Sequence, residues 1–282
     1  MRKKIVSLQE AVSEIKRGDS IGIGGASLVY KPMAAVREIV RQKITDLTVY
    51  SLMGDVDVDL LVGSGCSKRI CAAYVGFPMM GFAQNFRSKV QNGEISFKEY
   101  SELTFVLGLR AAAMGVSFLP TRSLLGSDLL KVNTDFKVFD CPITNQKTVA
   151  VPATKLDVAL IHAYQCDSLG NIYALESQIM TDLLVAFAQA AKKTIVTVEK
   201  VVKGEPEKDT RLMLPKYEVD LVVEAPYGAH PTGFLPLYTM DVPHITEYTI
   251  ASSNPKAYEE YLDKYIYSVK DHEEYLKKVK KS

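Results

Sequence analysis

Two features of this chain could do chemistry in the pattern in which they occur: glycines between an apolar run and a helix, and carboxylates at a helix start. The glycines are Gly22, Gly24 and Gly25 in Gly22-Ile-Gly-Gly-Ala-Ser27. Without a Cβ, they let the backbone come close to a ligand, and a helix start beyond them favours the ligand's negative end. A dinucleotide fingerprint needs GxGxxG, but Ser27 takes the last position, and Leu28, Val29, Tyr30 and Lys31 intervene before the helix. That is too long for a pyrophosphate to sit on the helix end in the usual way. Asp55, soon after the next strand, imitates a ribose-binding acid. On these residues alone, a nucleotide loop and a tight turn with no ligand both stay open.

The carboxylates are Glu99 and Glu102 in Glu99-Tyr-Ser-Glu102, just before the helical segment carrying Leu109-Arg-Ala-Ala-Ala-Met114. Acids at a helix start ordinarily answer the macrodipole. A base would need desolvation in a cleft and a pKa raised toward the working pH. Of the histidines, His162 ends an apolar strand, His230 lies in Ala225-Pro-Tyr-Gly-Ala-His-Pro231, and His244 and His272 sit in polar stretches. None has an acid or nucleophile at useful spacing, so structural roles are expected. There is no GxSxG elbow and no P-loop lysine.

The elements that must position these residues read as strands alternating with helices. Ser7-Leu-Gln-Glu10 is a capping box opening a helix to about Lys16. Ser20–Gly24 is a strand, Lys31-Pro32 opens a helix with Met33, Val36, Ile39 and Val40 on its apolar face, and Asp46–Ser51 and Arg69–Tyr74 are further strands. Helices follow near 81–92 and 103–114, with strands at Val158–Ile161, Thr194–Val198 and Asp220–Val223. Strands that are apolar almost throughout indicate an open, mainly parallel α/β sheet covered by helices on both faces. One domain over 1–282 is expected, with an excursion near Asp128–Thr154, a turn at Asp167–Asn171, and a helical, Tyr-rich tail over about 254–282.

The chain has 282 residues, and its apolar fraction of 47% supports a real core. With 34 basic against 33 acidic residues, no overall field attracts nucleic acid or an acidic membrane. Cys66, Cys71, Cys141 and Cys166 show no zinc-ligand spacing, so no metal and reduced cytoplasmic thiols are expected. The basic start Met1-Arg-Lys-Lys4 runs into a polar amphipathic segment, so no signal peptide is expected, and no apolar run approaches the roughly 18 residues of a membrane span.

Taken together, these residues resemble the alpha subunits of class I coenzyme A transferases, from about Lys16 to the C-terminus. The resemblance rests on Ile21-Gly-Ile-Gly-Gly25 with Pro32, then Tyr74-Val-Gly76, Asn92-Gly-Glu94, Glu99-Tyr-Ser-Glu102 and Leu109–Pro120 in order. Lys31-Pro32 with Ala34-Ala-Val36, Ala225–Pro231 and Lys270-Asp-His-Glu-Glu-Tyr-Leu276 bring it nearest the glutaconate-type members. Ala26 replaces the family's usual aromatic and Tyr30 a glycine. Glu102 stands where glutamine is common, a feature shared with the alpha subunit of a steroid-ring-opening hydrolase of the same fold.

The resemblance implies the alpha subunit of a heteromer that moves CoA between an acyl-CoA and a carboxylic acid, with CoA as substrate and no bound cofactor. A beta subunit would supply the glutamate nucleophile, whose Ser-Glu-Asn-Gly-like motif does not occur here; Asn92-Gly-Glu94 reads as a turn. It further implies that Gly24, Gly25, Ala26, Ser27 and Lys31, with Gly76 and Phe77, line the acyl side of the shared site, with Glu102 facing the acid substrate. The alternatives are a ring-opening CoA-thioester hydrolase with Glu102 as base, and a non-catalytic nucleotide- or sugar-phosphate-binding domain.

Overall fold

The structure is a computed structural model that describes residues 4–78 and 80–279. Most of the basic start and the last residues of the tail lie outside the described residues. The first half of the chain runs α1 (Leu8–Val12), β1 (Ser20–Ile23), α2 (Met33–Arg41), β2 (Leu47–Ser51), β3 (Met53–Gly54), α3 (Val56–Gly63), β4 (Ser67–Ala72), β5 (Tyr74–Val75), α4 (Gln84–Gln91), β6 (Ser96–Glu99) and α5 (Glu102–Ala113). Then come β7 (Phe118–Thr121), α6 (Leu129–Val132), β8 (Lys137–Asp140), β9 (Lys147–Pro152), β10 (Leu156–Cys166), β11 (Ile172–Leu175), α7 (Thr181–Gln189), β12 (Ala191–Val201), β13 (Thr210–Leu214) and β14 (Leu221–Glu224). Helices α8 (Val242–Ala251), α9 (Pro255–Leu262) and α10 (His272–Val279) close the chain.

Strands β14, β12, β10, β1, β2, β4 and β6 lie side by side in that order, all parallel. The short β11 joins the far end of β10 antiparallel, and β13 pairs with β11. Each central strand is buried on both faces, which is why the sequence reads as apolar runs rather than alternation. One face packs on α1, α2, α3 and the C-terminal helices through Val12, Val36, Val58, Tyr248 and Tyr275. The other packs on α5 and α7 through Phe105, Leu109, Leu184 and Phe187. The expected mainly parallel sheet with helices on both faces is therefore present.

The chain lays down β1, β2, β4 and β6 in one direction, then returns to β10 on the opposite side of β1 and continues outward to β12 and β14. The β1/β10 boundary is thus the point where strand order reverses. In open α/β sheets, that boundary leaves a crevice outside the carboxyl ends of the strands where ligands bind.

Several local expectations are corrected. The stretch 128–154 is not element-poor: β7, β9 and β8 form a separate antiparallel sheet, with Val149 and Val151 turned into the core. The first helix ends at Val12, and the third strand at Ala72. Helices α3 and α7 and strands β6, β11 and β13 are additional. The tail packs its tyrosines on the domain, as a charged, Tyr-rich helical segment is expected to do: Tyr258, Tyr261, Tyr265 and Tyr275 are buried against the sheet-covering helices. Its motif meets the other glutaconate-type motif directly, because the Tyr275 hydroxyl and His230 Nδ1 lie 2.8 Å apart and His272 Nε2 donates to Pro226 O at 2.8 Å. Arg37 of α2 joins them, its guanidinium 3.6 Å from the Tyr275 ring centroid.

Inside β1, a Cβ on Gly22 would lie 2.5 Å from Leu156 Cδ1 and 2.6 Å from Phe187 Cδ1. Gly22→Ala therefore overpacks the core and is expected to lower unfolding free energy by about 1–3 kcal/mol, measured by urea titration.

Candidate active site at the carboxyl edge of the sheet

Because the strands are parallel, every loop after β1, β2, β4 and β6 emerges on the same edge. The glycine turn follows β1, Asp55 follows β2 and β3, Gly76 follows β4 and β5, and Glu102 follows β6. Gly76 N–H donates to Gly54 O at 3.0 Å, which ties the second glycine loop to the segment beside the first. Phe77 turns inward instead, its ring 6.0 Å from that of Tyr248 and fully buried. Glu102 opens α5 after the Ser101/Thr104 capping box and is exposed. Three strand spacings separate β1 from β6, about 14 Å.

The turn itself is built under strain. Gly25 has φ +79°, and Ser27, Leu28 and Tyr30 also take left-handed backbone at φ 49°, 64° and 59°. Non-glycine residues in that region cost on the order of 1–3 kcal/mol each and persist only where the surroundings impose them. Here the surroundings do so from two sides. On one, Tyr30 N–H donates to Gly233 O and Gly233 N–H to Leu28 O, both at 2.8 Å, while the Tyr30 hydroxyl donates to Leu235 O at 3.0 Å. On the other, Leu28 N–H donates to Asp55 Oδ2 at 2.9 Å and Ser27 N–H to Met53 O at 3.4 Å.

Gly24 N–H donates back to Leu160 O of β10, and the Ala26 and Val29 amides bond across the turn. Among the described residues, the Gly25 amide has no such acceptor. Orphaned N–H groups in a folded interior are rare, and one at a strand-order reversal is suited to meet the oxygen of a ligand. Ser27 and Val29 are the turn residues that reach the surface; Gly24, Gly25, Ala26, Leu28, Tyr30 and Lys31 are covered.

Lys31 faces the interior, with no side-chain exposure. Its ammonium donates to Ser51 Oγ at 2.8 Å, Met53 O at 2.9 Å and Asp57 Oδ2 at 3.0 Å. Asp57 Oδ1 in turn accepts Asp55 N–H at 2.8 Å. Asp55 does not reach toward a ribose: both its oxygens are engaged, one by Leu28 N–H and one by Val56 N–H at 2.7 Å. The next acid, Asp59, accepts from the Tyr248 hydroxyl at 2.7 Å and from Phe86 N–H at 2.8 Å, and burial pushes it up to about 6. Sequence reasoning passed over this trio as a group. Its signal was three acids at alternate positions within Asp55-Val-Asp-Val-Asp-Leu-Leu-Val62, a run too apolar to lie at the surface.

Burial, and then the neighbouring Asp57, push the Asp55 carboxyl from its usual 3.8 up to about 7. The folded state then binds its proton more tightly than the unfolded chain. Asp55's contribution to stability is present at low pH and lost as pH rises through the window from about 4 to about 7. Asp55→Asn is accordingly expected to gain stability relative to wild type between about pH 5 and about pH 8, read from urea midpoints.

Beside the turn, His162 of β10 contacts Thr197 Oγ1 and Glu199 Oε1 of β12, each at 2.8 Å. Glu199 also accepts from the Tyr238 hydroxyl at 2.6 Å and Tyr227 N–H at 2.8 Å. His162 does therefore have an acid partner, supplied by tertiary pairing, and the network is a closed brace rather than an open catalytic pair. His244 is not in polar surroundings either. It is buried among Tyr261, Tyr265 and Tyr275, and burial pushes it down to about 4.

A strained turn with an uncommitted amide, at the order reversal of a doubly covered parallel sheet, stands where open α/β proteins of this class have their ligand crevice. The chain belongs to the coenzyme A transferase family, whose family profile matches residues 5–225. The A subunit of glutaconate CoA-transferase from Acidaminococcus fermentans is 34% identical over 296 residues, covering 98% of this chain and 92% of that one. The crystal structure of glutaconate coenzyme A-transferase from that organism matches with a TM-score of 0.90 at 33% identity, over 98% of this chain and 92% of that chain. The IpdA subunit of the cholesterol ring-cleaving hydrolase from Rhodococcus jostii is 35% identical over 295 residues, 99% of this chain and 97% of that one. An uncharacterized Archaeoglobus fulgidus protein, 35% identical over 284 residues, is longer, and this chain spans 63% of its length. Among the described residues, no helix is long and apolar enough to cross a membrane.

Proposed function

We propose that this chain is the alpha subunit of a heteromeric, cytoplasmic enzyme that moves CoA from an acyl-CoA to a carboxylic acid, with CoA as substrate. A glutamate of the beta subunit is the nucleophile. Its carboxylate attacks the thioester carbonyl, the C–S bond breaks, and an acyl-glutamyl anhydride and CoA thiolate result. The thiolate then attacks the glutamyl carbonyl, forming a glutamyl-CoA thioester and releasing the first acid as its carboxylate. A second carboxylate repeats the exchange in reverse.

The part played by this chain is electrostatic. The Gly25 amide, in the turn running from Gly24 through Ala26, Ser27 and on to Lys31, donates to the oxyanion that forms at each attack, and the Gly76 loop walls the acyl side. The single observation that supports this reading is the uncommitted Gly25 amide beside the engaged amides of Gly24 and of Ala26 through Tyr30. Free thiols at Cys66, Cys71, Cys141 and Cys166 agree with a reducing compartment.

A second reading, ring-opening hydrolysis with Glu102 as base, is favoured by that residue's place on the same edge of the sheet and by the full-length likeness to the IpdA protein. Glu102→Gln separates the two. In the heteromer the variant is expected to keep acyl-CoA:carboxylate exchange within about threefold, whereas loss of a hydrolytic general base costs about 100-fold or more. Parallel assays of CoA exchange and CoA-ester hydrolysis read the difference.

A further inference from the structure

We propose that Lys31, Asp57 and Asp55 form a buried ionic brace that fixes the Gly24–Tyr30 turn in its reactive shape, so that Lys31 and Asp55 are positioning residues and not substrate contacts. The inference rests on the reading of the turn as part of an active centre. The brace is continuous: Lys31 at the end of the turn grips Met53 O, Ser51 and Asp57; Asp57 holds Asp55 N–H; and Asp55 returns to the turn through Leu28 N–H. Met53 O closes a second loop, because it accepts both the Lys31 ammonium and Ser27 N–H. The residues so gripped, Ser27 and Leu28, are among those held in left-handed backbone.

All three charged side chains have no exposure, so no substrate reaches Lys31 without dismantling the brace. One cation faces two carboxylates, and among the described residues Asp55 has no cation in hydrogen-bond contact. Replacing buried ionic groups by apolar ones often leaves stability unchanged or raises it, so their presence here points to shape rather than to stability. Burial and Asp57 raise Asp55, and the charged groups facing it are Asp57 on α3 and Lys31 at the turn's end. The carboxylate form accepts both amides; the protonated form surrenders one.

The test uses the heteromer carrying Asp55→Asn and, separately, the double variant Lys31→Met/Asp57→Leu, which removes both partners of the ion pair together and so strands neither. Hydrogen exchange of the peptide spanning 24–31 is expected to quicken at least tenfold in both, with the exchange of β10 and β12 unchanged. The kcat for CoA exchange is expected to fall at least tenfold while KM for acyl-CoA stays within twofold, because amide alignment acts in the transition state. An acidic limb of the wild-type kcat profile near pH 7 should be absent from Asp55→Asn. Unchanged exchange of the 24–31 peptide overturns the brace, as does a quickened turn with unaltered kcat. Since exchange is read without substrate, failure of the wild-type heteromer to transfer CoA would count against the proposed function and leave the brace to be judged on exchange alone.

Discussion

Gly25→Ala is expected to reduce CoA exchange by about 100-fold or more while the heteromer still assembles. A Cβ at this position would lie 2.5 Å from Val29 O, 2.6 Å from Tyr30 C and 2.7 Å from Tyr30 O. All three are backbone atoms, so no side chain can swing aside to make room. The φ of +79° adds a conformational cost that only glycine escapes. Either the turn opens or the amide rotates, and both remove a donor aimed at the oxyanion, worth roughly 3 kcal/mol in comparable sites. Because the defect lies in alignment, kcat falls more than KM rises. Steady-state kinetics at several acyl-CoA concentrations check this, with Gly22→Ala as the control that damages packing shortly before the turn.

Lys31→Met carries the largest expected cost in stability. The ammonium and Asp57 have no side-chain exposure, and the lysine makes three hydrogen bonds in the interior. Removing one partner leaves Asp57 buried without its cation, which costs about 3–5 kcal/mol. For a chain of this size that corresponds to a melting temperature lower by about 10 °C. Scanning calorimetry of the heteromer measures it. Restoration of most of the loss by Asp57→Leu in the same chain identifies the stranded carboxylate as the cause.

Much of the sheet was legible because its physics is local. Val158–Ile161 and Thr194–Val198 are apolar beyond what alternation allows, and both lie in central parallel strands. The glycine turn announced itself by composition. What stayed hidden depends on residues far apart in sequence. Lys31 reads as a loop lysine, since its partner Asp57 lies 26 residues on and only the pairing of β1 with β2 brings them together. His162 reads as isolated because Glu199 becomes its neighbour through the β10–β12 register, in which His162 aligns with Thr197 and Glu199 follows two residues later on the same face.

The 128–154 stretch was illegible for another reason. Strands of a small, half-exposed antiparallel sheet can be very short, and the 4 residues of Lys137–Asp140 offer little pattern. The amides of the turn were the finest detail lost. Composition marks the glycines, and only the hydrogen-bond pattern distinguishes Gly25, uncommitted, from Ala26, Leu28 and Tyr30, all engaged.

The central claim, that this chain furnishes a turn and its partner furnishes the carboxylate, is tested most directly by intact-mass spectrometry of both polypeptides after incubating the co-expressed heteromer with acyl-CoA. A CoA thioester on a glutamate of the beta subunit, with this chain unmodified, is the expected result. A CoA or acyl adduct on this chain, or hydrolysis of the thioester with neither chain ever labelled, would contradict it.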